Sequence, residues 1–135
     1  MKVESLIVEN SKKLISIFKS YPEIKLVYLF GSRAVRKEST LSDYDFAIYL
    51  SIRDKKRIYE IKLELFDKTS RLLKTDKIDI VVLNLTESPE LKYMIIREGR
   101  LIFQREPYKV IVEPDILNKY FDFQKLLLRY NLTRS

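Results

Sequence analysis

Apolar positions in the first half of the chain alternate between a helical spacing and short continuous runs. Residues 3–20 carry apolar side chains at roughly helical intervals, which predicts an amphipathic helix. Ile24–Phe30 and Asp43–Leu50 are short runs rich in Val, Leu, Ile, Tyr and Phe, so both are predicted as strands. A helical spacing returns over 55–73, and Asp54 is the expected N-cap of that helix.

The second half of the chain predicts two further strands and two further helices. Ile78–Leu83 is a nearly continuous apolar run and is predicted as the third strand. Pro89 is expected to open a short helix and Gly99 to follow its end, since these residues favour those two positions. The short apolar run at 101–103 is predicted as the fourth strand.

The last predicted helix follows a loop or extended segment at 104–113 and runs from Pro114 to about Asn131. Its apolar residues form two stripes: Ile116, Tyr120, Phe123, Leu127 and Tyr130 on one, and Leu117, Phe121 and Leu128 on the other. This is more apolar surface than one narrow contact buries. The helix therefore either caps the core or also contacts a partner protein.

Composition narrows the chemistry that the chain can perform. Its 135 residues, 46% of them hydrophobic, suit one globular domain over 1–135, with a core at about 24–103. The absence of cysteine excludes disulfides, thiolate metal sites and cysteine nucleophiles, and the absence of histidine removes the commonest general base. Catalysis would have to rest on carboxylates, a hard cation and basic side chains.

The net charge of +7 predicts attraction to polyanions, which include nucleoside triphosphates, nucleic acid and an acidic protein. Charge alone does not choose among them. Lys55-Lys56-Arg57 lies at the start of a predicted helix, where cations are unfavourable, so these residues are either solvated or contact a ligand. Because 18 consecutive apolar residues occur nowhere, we expect no membrane segment and a cytoplasmic protein.

A strand that ends at glycine marks the first candidate functional residues. Gly31 follows the predicted strand Ile24–Phe30, and the lack of a Cβ lets backbone and a bulky ligand approach closely. Ser32 adds a hydroxyl and an N–H group at the expected start of a short helix through about Lys37. This corner suits a phosphate group, although Gly-Ser by itself is also common in purely structural turns.

Two carboxylates follow at the start of the second strand. Asp43 and Asp45 are two residues apart, so their side chains project from the same face of the sheet. They repel each other unless a cation lies between them, and oxygen ligands beside a triphosphate suit Mg²⁺. The spacing after Gly31 and Ser32 therefore predicts a metal-nucleotide site, whereas Asp-x-Asp alone would also fit a solvated edge strand.

A third carboxylate, Asp79, interrupts the apolar run of the third strand. An ionised carboxylate without a partner is costly in a buried strand. We therefore expect either a cation or a basic side chain such as Lys77 to meet it.

The chain resembles the DNA polymerase β-like nucleotidyltransferases, in particular their minimal (MNT, or MntA-like) antitoxin branch. The resemblance lies in a signature formed by Gly31-Ser32, ten intervening residues and then Asp43-Tyr44-Asp45. The resemblance extends over roughly 27–103. It implies an α/β (α+β) fold with a small mixed β-sheet and helices packed on it. The chain departs from the family's Gly-Ser-Arg-Ala-Arg-Gly at Val35, and Arg36 follows one residue later.

The resemblance also implies roles for individual residues. Asp43, Asp45 and a third aspartate on the neighbouring strand would hold one or two Mg²⁺ ions and serve catalysis, and Asp79 matches that third position. Asp76, in the preceding turn, is the second candidate for it. The nucleotide-binding residues implied by the resemblance are Gly31, Ser32, Arg33 and Arg36.

What the resemblance implies about function is transfer of AMP from ATP to a tyrosine of a HEPN-domain ribonuclease toxin, with the chain acting as its antitoxin. The chain has no room for the nucleic-acid domains of polymerases or tRNA-tailing enzymes, so direct nucleic-acid binding is not expected. Two alternatives stay open. One is a nucleotidyltransferase that acts on a small molecule, and the other is an antitoxin that neutralises its partner by binding alone.

Overall fold

Four strands with helices on both faces form the part of the chain that the computed structural model describes, residues 9–30 and 44–130. In chain order the elements are α1 (Ser11–Lys19), β1 (Ile24–Phe30), β2 (Tyr44–Leu50), α2 (Lys55–Leu73), β3 (Ile78–Val82), a 3₁₀ turn (Leu83–Leu85), α3 (Pro89–Glu98), β4 (Arg100–Gln104) and α4 (Tyr108–Arg129). The short helix predicted after Ser32 and the loop at 38–42 lie outside these residues.

The strands form a mixed sheet in the order β3-β2-β1-β4. β1 runs antiparallel to β2 and β4, and β2 runs parallel to β3. Phe30 at the end of β1 pairs with Asp45, and its neighbour Leu29 pairs with Arg100. The predicted α+β fold with a small mixed sheet is therefore confirmed. The end of β1 lies beside the starts of β2 and β4, and β3 begins on the far side of β2.

Each face of the sheet packs against a different pair of helices, because alternate residues of a strand point to opposite faces. One layer joins α1 and α2 to the sheet through Leu14, Phe18, Ile58, Ile61, Leu65, Val27, Phe46, Ile48 and Ile80. The other joins α3 and α4 to the sheet through Leu26, Tyr28, Phe30, Ala47, Ile95, Val112 and Ile116. No helix in the two described ranges is both long enough and apolar enough to cross a lipid bilayer.

Helix α4 begins six residues before the predicted start at Pro114, so that start is wrong, and 108–113 are helical rather than part of a loop or extended segment. The prediction agrees with the structure for 104–107, where β4 ends and a short loop follows. Tertiary contacts explain the difference. Val112 and Ile116 are buried against the sheet, and the Tyr28 hydroxyl donates a hydrogen bond of 2.5 Å to the Glu113 carboxylate. A hydrogen bond to a charged group stabilises a fold by about 1.5–3 kcal/mol. This helps to offset the free-energy cost of Pro114, which has no N–H to donate inside the helix.

The Tyr28–Glu113 pair is fixed as donor and acceptor by its surroundings. Burial, together with the Glu113 carboxylate, raises the pKa of the Tyr28 hydroxyl above its usual range. The hydroxyl therefore keeps its proton near neutral pH and joins β1 to the first half of α4.

The predicted start of the first helix at residue 3 lies outside the described residues, within which α1 begins at Ser11. The other predicted boundaries agree with the structure to within one or two residues. Asp54 is the N-cap of α2, and its carboxylate accepts a hydrogen bond from the Lys56 N–H at 3.2 Å. β3 ends at Val82 rather than Leu83, because the chain turns there into the 3₁₀ segment. β4 extends one residue beyond 101–103 at each end, since it pairs with β1 along its length.

Gly99 has a different structural role from the one that the sequence predicts. The residue follows α3, but its φ of −75° and ψ of 166° are extended rather than left-handed. A Cβ at this position would lie 2.4 Å from the Ile95 carbonyl oxygen and 3.3 Å from the Cβ of Phe30. Glycine is therefore needed because the backbone passes close to α3 and to the end of β1.

We expect Gly99→Ala to lower the free energy of unfolding by about 1–3 kcal/mol, because the new methyl group forces the backbone of α3 away from β1. Urea unfolding followed by circular dichroism measures this change. Glu98→Ala is the matched control, since Glu98 is the exposed neighbour in sequence and should change stability by no more than about 0.5 kcal/mol. Equal stability of the two variants would contradict the steric explanation.

Candidate active site

Two of the predicted carboxylates lie side by side where β1 ends. Asp45 is the second residue of β2, Asp79 is the second residue of β3, and the two are Cα partners in the parallel pair. Register partners project from the same face, which here is the face of Ala47 and Val81. That face also carries α3 and α4. The fold thus brings together two residues that are 34 positions apart in the sequence.

The two carboxylates differ in burial, and the difference corrects one expectation. The apolar run around Asp79 predicts a buried carboxylate, but the Asp79 side chain is exposed. The buried carboxylate is that of Asp45, with 7% relative exposure. The cause is topological, because β2 lies between β1 and β3 whereas β3 is at an edge of the described sheet.

The structure also separates the alternatives for the third carboxylate. Asp76 lies in the turn before β3 and is exposed, whereas Asp79 lies in the strand beside Asp45. Among the residues placed by the structure, Asp79 forms no ion pair with Lys77 or with another basic side chain. Lys77 instead contributes its carbonyl oxygen, which accepts a hydrogen bond from the Tyr44 N–H at 3.2 Å. The assignment of Asp79 as a metal ligand stays a prediction.

The remaining predicted site residues lie outside the described residues: Gly31, Ser32, Arg33, Arg36 and Asp43. The residues that flank this gap are well placed for the predicted site. Phe30, the last described residue before it, is the Cα partner of Asp45, and Tyr44, the first one after it, precedes Asp45 in β2.

Gly99 is a supporting residue that sequence reasoning assigned only to the end of a helix. Its backbone packs against Leu29 and Phe30, so closely that a Cβ on Gly99 would lie 3.2 Å from the Leu29 carbonyl oxygen. The end of β1 beside Asp45 is therefore held from the side of α3. A glycine between a helix and a strand is visible in the sequence, but its contact with β1 depends on long-range pairing.

The donor atoms fit a hard divalent cation. Carboxylate oxygens are the ligands that Mg²⁺ prefers, and a chain without histidine and cysteine lacks the imidazole and thiolate ligands that zinc favours. Within 9–30 and 44–130, no group of three or more acidic residues is close enough to hold a metal ion. The described residues thus supply a pair of candidate ligands, and the third predicted one, Asp43, lies outside them.

Comparison with known families identifies the domain. The family model described as polymerase beta, nucleotidyltransferase, matches residues 12–108. The chain belongs to the polymerase beta nucleotidyltransferase family. The match includes β1 to β4 and the Asp45–Asp79 pair, so the family inferred from the spacing of Gly31, Ser32, Asp43 and Asp45 is confirmed.

Solved structures of this nucleotidyltransferase fold include toxin–antitoxin complexes. One, a tri-AMPylated Shewanella oneidensis HEPN toxin in complex with an MNT antitoxin, matches at 21% identity with a TM-score of 0.68, covering 91% of this chain and 93% of that chain. A toxin–antitoxin structure with AMP-PNP matches at 22% identity with a TM-score of 0.68, covering 90% of this chain and 94% of that chain. At these identities the likeness establishes the fold. No curated protein gives a match.

We expect Asp45→Asn and Asp79→Ala each to reduce Mg²⁺-dependent nucleotidyl transfer by about 100-fold or more, because each removes negative charge where a cation is needed. Asp76→Ala is the matched control, since it removes an exposed carboxylate three residues from Asp79, and it should retain activity. Circular dichroism would verify folding, and labelled-nucleotide transfer would measure activity. Loss of transfer in Asp76→Ala with normal transfer in Asp79→Ala would reverse the assignment.

Proposed function

We propose that this nucleotidyltransferase transfers AMP from ATP to a hydroxyl group of a HEPN-domain toxin, a tyrosine in the simplest case, and thereby acts as its antitoxin. The observation that carries this proposal is the Asp45–Asp79 pair at the end of β1, on a fold that matches MNT antitoxins over about nine-tenths of both chains. One of those antitoxins is in complex with an AMPylated HEPN toxin, and another structure contains AMP-PNP.

The proposed reaction forms a bond between the acceptor oxygen and the α-phosphorus of ATP and breaks the bond to the leaving pyrophosphate. One or two Mg²⁺ ions, held by Asp43, Asp45 and Asp79, would neutralise phosphate charge and make the acceptor hydroxyl more acidic. Asp79 is exposed beside Asp45, so its carboxylate is accessible to accept the hydroxyl proton.

The nucleotide would be held by the predicted phosphate-binding residues that follow β1 in the sequence. Gly31 and Ser32 would contact the phosphates through their N–H groups and the serine hydroxyl, in the proposed arrangement. The positive side chains of Arg33 and Arg36 would balance the negative charge of the phosphates. Asp45 is buried between β1 and β3, so its carboxylate is the more restricted of the two described carboxylates.

The second half of α4 supports a protein partner. The buried residues of α4, Val112 and Ile116, lie in its first half, whereas Phe121 is 51% exposed and Leu128 is 68% exposed. Tyr120 stacks on Tyr93 of α3 with ring centroids 3.9 Å apart, and Phe121 lies against both rings. An exposed aromatic and aliphatic surface of this kind is typical of a protein contact, so we propose that it helps to dock the toxin.

Two other functions make different predictions about the product. A small-molecule nucleotidyltransferase would need no protein acceptor, and an antitoxin that only binds would transfer nothing. The adjacent Asp45 and Asp79 carboxylates favour an active enzyme over a site that has lost its chemistry.

Incubation of the purified chain with α-labelled ATP, Mg²⁺ and a HEPN-domain toxin from the same host tests the proposal. We expect the label on the toxin, sensitivity of the linkage to phosphodiesterase, and loss of the signal with γ-labelled ATP, since pyrophosphate leaves. A host lysate assayed in parallel reports competing acceptors. Label confined to RNA or to a small molecule would refute protein AMPylation.

Docking through α4 predicts that Phe121→Ala weakens toxin binding by about 2 kcal/mol or more, because truncation removes an exposed aromatic contact. Calorimetric titration of the folded variant measures this loss. Val110→Ala is the matched control, since Val110 is also an exposed apolar residue of α4 but lies in its first half. If both variants bind and modify the toxin like the wild type, the docking surface is elsewhere.

A further inference from the structure

The outer edge of β3 carries backbone groups that point away from the sheet. The Tyr44 N–H donates to the Lys77 carbonyl oxygen, so the backbone of Lys77 faces β2. Successive residues of a strand alternate in direction, and the N–H and C=O groups of Ile78, Ile80 and Val82 therefore point outward. Within the part of the chain that the structure describes, β3 is a terminal strand of the sheet.

One of these outward groups is already in use, and those of Ile80, which is only 3% exposed, lie at the bottom of an open groove. The Val82 carbonyl oxygen accepts a hydrogen bond from the Thr86 hydroxyl at 3.0 Å, which confirms the direction in which it points. The N–H and C=O groups of Ile80 have no hydrogen-bond partner among the described residues. A row of unpaired backbone N–H and C=O groups along a strand edge can pair with an added strand.

An open groove of about 450 Å³ runs along this edge. Its sides are formed by Lys55, Tyr59 and Lys62 of α2 and, across the strand edge, by Leu85 and Thr86. Tyr59 is 62% exposed and Leu85 is 51% exposed, so apolar surface is available to a ligand as well as backbone groups. Asp79 also lines the groove, which therefore reaches the candidate active site.

The charge of the groove indicates the kind of ligand. Lys55 and Lys62 both line it, and neither forms an ion pair with a carboxylate in residues 9–30 or 44–130. Lys55 also lies at the start of α2, where a cation is unfavourable unless an anion approaches. Lys56, its neighbour, does not line the groove. The groove thus suits a chain segment that carries acidic side chains.

We propose that an extended, acidic segment of the acceptor protein adds to β3 as a further strand and so brings its hydroxyl group to Asp79. Adjacent strands lie about 4.8 Å apart, so an acceptor side chain opposite Asp79 and on the same face can reach the carboxylates. Main-chain hydrogen bonds to Ile78 and Ile80 would fix the register, and Lys55 and Lys62 would select acidic sequences. This inference rests on the proposed function, because it requires a protein acceptor.

Amide hydrogen exchange, resolved by nuclear magnetic resonance, tests strand addition directly. The probe is the full chain with and without saturating, unmodified HEPN-domain toxin. We expect the outward Ile80 amide to exchange at least about 10-fold more slowly in the complex, because it gains a hydrogen bond. The Val81 amide, which faces β2, is the internal control and should change little. Unchanged exchange at Ile80 in the saturated complex would overturn strand addition.

Charge reversal tests the specificity of the groove. We expect the Lys55→Glu/Lys62→Glu double variant to lower kcat/KM for the toxin by about 10-fold or more while the KM for ATP is unchanged. Lys56→Glu is the matched control and should behave like the wild type. Equal toxin labelling by the wild type, the double variant and Lys56→Glu would overturn the role of the groove in acceptor selection but would leave the proposed function intact. Label on RNA or a small molecule only, with the wild type, would overturn both this inference and the proposed function.

Discussion

The parallel register between β2 and β3 is the constraint on which the rest of the structure depends. It makes Asp45 and Asp79 Cα partners and makes both side chains project from one face. A shift of one residue in either strand would turn its carboxylate into the layer of α1 and α2 and remove apolar residues such as Phe46 or Ile80 from that layer. The hydrophobic core and the candidate site therefore specify the same register.

Much of this arrangement follows from short-range sequence patterns. The apolar runs identified all four described strands, and Asp54 identified the start of α2, because these features depend on side-chain alternation and local capping. The spacing of Asp43 and Asp45 after Gly31 and Ser32 was sufficient to identify the family. Which of Asp76 and Asp79 lies beside Asp45 followed from the extent of the third apolar run.

The parts that sequence reasoning missed depend on long-range contacts. Proline at position 114 indicates a helix start on local grounds, but Tyr28 and Glu113, 85 residues apart, hold an earlier turn of α4 against the sheet. The burial of Asp45 and the exposure of Asp79 depend on strand order, which no single run of residues determines. The steric need for Gly99 likewise arises only where α3 ends beside β1.

The edge of β3, which has no neighbouring strand among the described residues, has a consequence for the chain when it is alone. Open strand edges are templates for pairing between identical molecules, and many proteins protect them with lysine side chains. Lys55 and Lys62 flank this edge, so two copies that approached edge to edge would bring four positive charges together. The same lysines that we assign to acceptor selection would therefore also oppose self-association, and high salt, which screens their repulsion, would favour aggregation of the isolated chain.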